Sequence, residues 1–131
     1  MKLLLVSMLF LPLFAKDIQI KVTNIDITLG GDIRIALFNS KEEFPKGKPL
    51  KTEIISTDKN EKIVNFRELQ DSDYAVALFH DQNRDGKMEK NFLGIPQEGY
   101  GISNKAKPFF GPPSFEDAKF SGNSDSIEMK Y

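Results

Sequence analysis

The chain has 131 residues, with 18 basic and 19 acidic side chains, one histidine and no cysteine. Charges of both signs are spread along it, which excludes a basic nucleic-acid footprint and a polybasic membrane anchor. The cysteine and histidine counts exclude disulfides, a thiol nucleophile and a multi-histidine zinc site.

Met1 and Lys2 open the chain, and Leu3 to Phe14 is apolar apart from Ser7. Ala15 follows, and the character changes at Lys16-Asp17. A positive start, a short apolar run and a small residue before a polar segment read as a secretory signal peptide over 1–15. The run is shorter than the ~20 apolar residues a membrane-spanning helix needs. The alternative is a buried N-terminal element, although core elements rarely lack a polar face. Residues 16–131 then form one domain, expected in the periplasm or outside the cell.

Asp17 to Thr28 alternates Ile18, Ile20 and Val22 with Gln19 and Lys21, and Asp32 to Asn39 alternates Ile33, Ile35 and Leu37 with Arg34 and Ala36. Period two with β-branched residues predicts half-buried strands. Gly30-Gly31 between them predicts a hairpin turn. Lys41 to Pro49, punctuated by Pro45, Gly47 and Pro49, reads as a loop with room for one helical turn. Lys51 to Thr57 and Lys62 to Phe66 are two further strands, separated by the turn Asp58-Lys59-Asn60-Glu61.

The segment Leu69 to His80 carries the strongest strand pattern. Asp71-Ser72-Asp73 turns the chain in; Tyr74, Val76, Leu78 and His80 then share one face, and Ala75, Ala77 and Phe79 the other. Apolar residues on both faces predict a central strand covered on both sides. Phe92 to Phe115 is rich in Gly, Pro and aromatic residues, unlike a flexible linker, and long enough to be functional or to hold short strands of its own. Ser114 to Asp117 matches a helix-capping pattern. Ser126 to Tyr131 predicts a closing strand with Ile127, Met129 and Tyr131 on one face. About seven short strands and no long helical period predict an all-β, antiparallel β-sandwich, Ig-like in general architecture, with a long Gly/Pro/aromatic loop segment.

One stretch carries candidate ion chemistry. Asp81-Gln82-Asn83-Arg84-Asp85-Gly86 places oxygen donors at alternate positions and glycine at the bend, the first half of a calcium loop. A hard cation needs six to eight oxygens, and the carbonyl of Lys87 and the side chain of Glu89 continue the series. Where an EF-hand has its bidentate Glu this chain has Phe92, and a strand rather than a helix leads in. The candidate metal set is therefore Asp81, Asn83, Asp85, Lys87 and Glu89, with Ca2+ at low affinity. The alternative is an Asx-rich turn in which Asp and Asn bond their own backbone. No Gly-x-Ser-x-Gly elbow is present; a Ser-His-Asp arrangement would have to use His80 with Ser103 or Ser114. Glu98 with Glu116 or Asp117 is an acid/base pair of the kind any carboxylate-rich chain offers.

The stretches from Tyr74 to Ala77, His80 to Lys87, Gly94-Ile95-Pro96-Gln97-Glu98-Gly99-Tyr100-Gly101-Ile102-Ser103-Asn104 and Phe110-Gly111-Pro112-Pro113-Ser114-Phe115-Glu116-Asp117-Ala118 together resemble a bacterial family of exported proteins, domain of unknown function 2141. The resemblance covers the chain after the leader and brings no assigned activity. It implies a transthyretin-like or prealbumin-like sandwich, which bears on fold and not on role. The leading functional expectation is a non-catalytic binding or accessory module whose rim, His80 to Asn91 plus Glu98 to Asn104, presents His80, Glu98, Tyr100 and Asn104 to a small ligand, glycan or peptide. A small periplasmic hydrolase using His80 or Glu98 is the second expectation. A structural subunit pairing through a sheet edge is the third.

Overall fold

The computed structural model describes residues 15–87 and 98–131. The predicted leader as far as Phe14, Glu89 and the first part of the Gly/Pro/aromatic segment lie outside the described residues. Seven strands run in the order β1 (Ala15–Thr23), β2 (Asp32–Phe38), β3 (Lys51–Ser56), β4 (Lys62–Gln70), β5 (Ala75–Asp81), β6 (Tyr100–Ile102) and β7 (Ser124–Glu128). A 3-10 turn covers Ser103–Lys105, and a single helical turn, α1, covers Phe115–Ala118. Ser114 caps α1, its hydroxyl accepting from the Asp117 amide at 3.2 Å, as the capping pattern predicted.

Two sheets face each other, one ordered β4-β1-β7 and the other β3-β2-β5-β6. The all-β sandwich expected from the alternation is therefore the observed fold, with two differences in detail. First, β1 and β2 are not a hairpin. β1 pairs with β4 and β7, whereas β2 pairs with β3 and β5 in the other sheet. The reason lies in their apolar faces: Ile18, Ile20 and Val22 meet Ile33, Ile35 and Leu37 in one buried cluster. Two strands that bury their faces against each other must sit in opposite sheets. The 24–31 connection crosses between the sheets, and Gly31 is needed there, with φ +73 and the Asp81 carbonyl where a side chain would begin. Second, β7 begins two residues earlier than predicted and runs parallel to β1, so the sandwich is not antiparallel throughout.

Strand β4 also runs past its predicted end at Phe66. Lys16 pairs with Leu69 and Ile18 with Phe66, so Asp17 alone opposes Arg67 and Glu68. That is a β-bulge; Glu68 takes φ 58 and its amide donates to the Asp17 carboxylate at 3.0 Å. An extra residue breaks period two, and the alternation fades there for that reason.

Strand β5 is an inner strand between β2 and β6, as predicted. Its face Tyr74, Val76 and Leu78 enters the main core with Ile33, Phe66 and Ile127. Its other face is covered at the Ala75 end by a second cluster containing Phe38, Phe44 and Ala118, with Phe115 packed against it.

Candidate functional site

Strand β5 ends by sending two consecutive polar residues to opposite sides of its sheet. His80 turns into the sandwich and Asp81 turns outward, and both are fully buried. Each holds a different set of loops.

His80 spans the space between the 24–31 connection and the chain beyond β7. Its Nε2 lies 2.6 Å from the Gly30 carbonyl, which can only accept, so that nitrogen carries the proton. In the neutral ring, Nδ1 then accepts from the Tyr131 hydroxyl at 2.9 Å. The same hydroxyl accepts from the Asp26 amide at 2.8 Å. Burial of the Tyr131 phenol raises its pKa, which keeps it a neutral donor. Asp26 in turn takes the Thr28 hydroxyl and amide, and these bonds hold its carboxyl below the usual range.

Asp81 holds the turn that follows it. Its Oδ2 accepts from the Gly86 amide and from Arg34 Nε, both at 2.8 Å, and its Oδ1 accepts from the Asp85 amide at 3.2 Å. Burial works to raise its pKa, but these donors together outweigh it and the carboxyl stays below its ordinary value. Gly86, with φ +76, makes the bend, and the Arg34 guanidinium lies against it. Farther along, Asp85 accepts from the Lys87 amide at 2.8 Å and from the Asn83 side-chain amide at 3.2 Å. The turn is closed by its own Asx bonds, which leave Asn83, Asp85 and Lys87 exposed on its outer side. Among the described residues, no three Asp, Glu or His side chains surround a common point.

Glu98 joins this end by accepting from the Gln82 amide at 3.0 Å. Tyr100 stands on the outward face of β6, where the register sets Ile54, Arg34, Phe79 and Tyr100 side by side across four strands. The structure thus gathers His80, Glu98, Tyr100 and the 81–87 turn at one end of the sandwich. It places Asn104 at the other end, past β6, where its amide donates to Asp125 at 2.7 Å and its side chain to the Asp117 carbonyl at 3.1 Å. The single rim expected of residues 80 to 104 is divided, because β6 carries the chain from one end to the other. Ser103 lies there too, accepting from the Val76 amide at 2.8 Å and donating to the Ala118 carbonyl at 2.6 Å. Ser103 and the helix-capping Ser114 are both on the far side from His80.

Arg34, Asp26 and Tyr131 were absent from the sequence-derived site. Arg34 shows only as a polar residue in an alternating strand; its partnership with Asp81 depends on β2 pairing with β5, which alternation does not specify.

The fold and this end of it define a small two-sheet β-sandwich domain with its terminal loops tied down by buried polar side chains. Within that class the chain belongs to the family described as uncharacterized proteins conserved in bacteria, DUF2141, whose profile matches residues 20–130. No curated protein and no solved structure matches it significantly.

Proposed function

We propose that the chain acts outside the cytoplasm as a non-catalytic binding or accessory module. Its ligand surface is formed by the 82–87 turn with Tyr100, and the turn takes calcium weakly. The observation that carries this reading is the setting of His80. The chain's single imidazole is fully buried with both ring nitrogens engaged, so it serves the scaffold and is turned away from any substrate. Around it, the exposed Asn83, Asp85 and Lys87 sit on a backbone already pinned by Asp81. A loop held in one conformation before binding loses little entropy when a ligand arrives. An edge-pairing subunit is less well supported. On β3, the Lys51 ammonium reaches across to the Arg67 carbonyl of β4, and on β4 the Lys62 ammonium reaches Ser56 and Asp58. Lysines along edge strands discourage pairing with another chain.

The ion would sit on the exposed side of the turn with Asn83, Asp85 and the Lys87 carbonyl. Asp81 is already neutralised by Arg34 and contributes only if that pair opens. The missing bidentate Glu further weakens the site, so affinity falls in the ~10⁻⁴–10⁻³ M range of extracellular calcium modules. Magnesium binds less well, since it demands near-octahedral geometry and keeps its water. The test is thermal unfolding in chelator and in millimolar calcium, for the wild type and for Asp85→Ala. Binding to the folded state alone stabilises by ~2.7 kcal/mol at a hundredfold excess over Kd. A wild type without a calcium-dependent shift reduces the loop to a turn. A shift that survives Asp85→Ala places the ion elsewhere.

A further inference from the structure

At the end of the sandwich away from the 82–87 turn, the loop between the 3-10 turn and α1 carries two adjacent phenylalanines in water. Phe109 is 82% exposed and Phe110 98% exposed. Their rings meet edge to face with centroids 4.7 Å apart, so they form one apolar wedge. Single exposed apolar residues are ordinary on protein surfaces, but two neighbouring Phe side chains left almost wholly in water are not.

The backbone supports the display. Phe110 takes φ 52, a left-handed conformation that is unusual for a bulky aromatic residue. The Phe109 amide donates to the Gly111 carbonyl at 3.0 Å. Pro108 precedes the pair and Pro112 and Pro113 follow Gly111, restricting the loop further. Backbone in such sparsely populated conformations tends to mark ligand clamps and functional sites.

Within the loop itself the charge has one sign, the nearest acidic side chains being Glu116 and Asp117 in α1 and Asp125, which accepts from the Asn104 amide. From Ser103 to Ser114 the sequence has Lys105 and Lys107 and no Asp or Glu. Both lysines are exposed, and neither takes part in an ion pair among the described residues. A convex pair of rings with flanking ammonium groups suits a soft anionic surface, with the rings entering the boundary between headgroups and acyl chains and the lysines remaining among the phosphates. We propose that the Lys105–Phe110 loop docks this protein on a bilayer bearing anionic lipids.

The chain contains no tryptophan, so Phe110→Trp gives a single indole at the wedge. Because the probe sits in the loop, its emission reports the surroundings of the wedge, and the effect of Phe109→Ser on it separates the wedge from any contribution of the apolar stretch 3–14. The full chain carrying Phe110→Trp is titrated with vesicles of phosphatidylethanolamine and phosphatidylglycerol, and with phosphatidylcholine alone. With the anionic vesicles the emission shifts to the blue, is quenched by brominated acyl chains, and weakens as salt is raised. Adding Phe109→Ser lowers partitioning at least about tenfold, in keeping with removal of one buried aromatic ring. Adding Lys105→Glu and Lys107→Glu abolishes the preference for anionic over neutral vesicles. Circular dichroism melts of the variants stay close to the wild type, because the substituted side chains are exposed. An indole that remains unshifted at saturating anionic lipid overturns the proposal and leaves a protein partner as the occupant of the wedge. Equal partitioning into both vesicle types overturns the role of the lysines. The loop is remote from the 82–87 turn, so failure of the calcium titration leaves this test unaffected.

Discussion

Asp81→Asn is the substitution that examines the site most closely, because it keeps the side chain's shape while changing what it can accept. The native carboxylate receives three donors, two on Oδ2 and one on Oδ1. Asparagine has one oxygen. In its cheaper orientation that oxygen faces Arg34 and Gly86, and the new amide group opposes the Asp85 N–H. One donor in a buried position is then left without an acceptor, at a cost of about 1–3 kcal/mol. The bond from Arg34 also loses its charged acceptor, although the guanidinium is partly exposed and can turn to water. The expected loss is about 2–3 kcal/mol, which corresponds to a fall in Tm of about 6–12 °C for a domain of this size. Acid gives a second reading of the same interaction. The carboxyl is held below its reference near 3.8, so its stabilising contribution is complete above that pH and disappears as pH falls through the lower folded value. The gap between wild type and Asp81→Asn therefore narrows below about pH 4. Melting followed by circular dichroism at neutral and acid pH measures both. A variant within about 0.5 kcal/mol of the wild type at neutral pH would show that Asp81 does not pin the turn, and that Arg34 is only a surface neighbour.

His80→Gln keeps the fold and any calcium response while lowering stability by about 1–3 kcal/mol through its lost contacts with Gly30 and Tyr131; hydrolytic turnover in the wild type that this change abolishes would refute the structural role. The chain recovered from the periplasm or medium is expected to begin at Lys16, as measured by intact mass, and recovery of a chain still carrying Met1 there contradicts the leader.

Most strands were legible because period-two alternation is a direct consequence of burying one face of a pleated chain. Ile18, Ile20 and Val22, and Ile33, Ile35 and Leu37, announce their strands without help from anything distant. Pairing was less legible. Alternation tells a strand which face is apolar, not which neighbour it bonds, and a Gly-Gly between two amphipathic strands serves a hairpin or a crossover equally well. Here the crossover wins because both apolar faces are needed on opposite sides of the same core. The bulge at Arg67-Glu68 was hidden for a related reason: it inserts one residue into the count that the reading depends on.

The candidate site divided along the same line. Asp81, Asn83, Asp85 and Gly86 are close in sequence, so their turn could be read locally, including the alternative in which Asp and Asn cap their own backbone. What locality does not contain is the charge that faces them. Arg34 reaches Asp81 only because β2 lies beside β5, and that one guanidinium changes what the first acid of the motif has to offer a cation. The calcium pattern and the Asx turn share the same residues and the same glycine, and the difference between them lies in whether the first carboxylate is already satisfied. His80 repeats the lesson on the other side of the strand: its neighbours in sequence suggest a core or rim residue beside a loop, and it is the Gly30 carbonyl and the Tyr131 hydroxyl, both distant along the chain, that make it an interior strut. A polar residue at the end of a buried strand therefore acquires its role from whatever the two adjoining sheets bring to it, and the calcium binding proposed for the 82–87 turn would rest on its exposed groups, Asn83 and Asp85 before the buried Asp81.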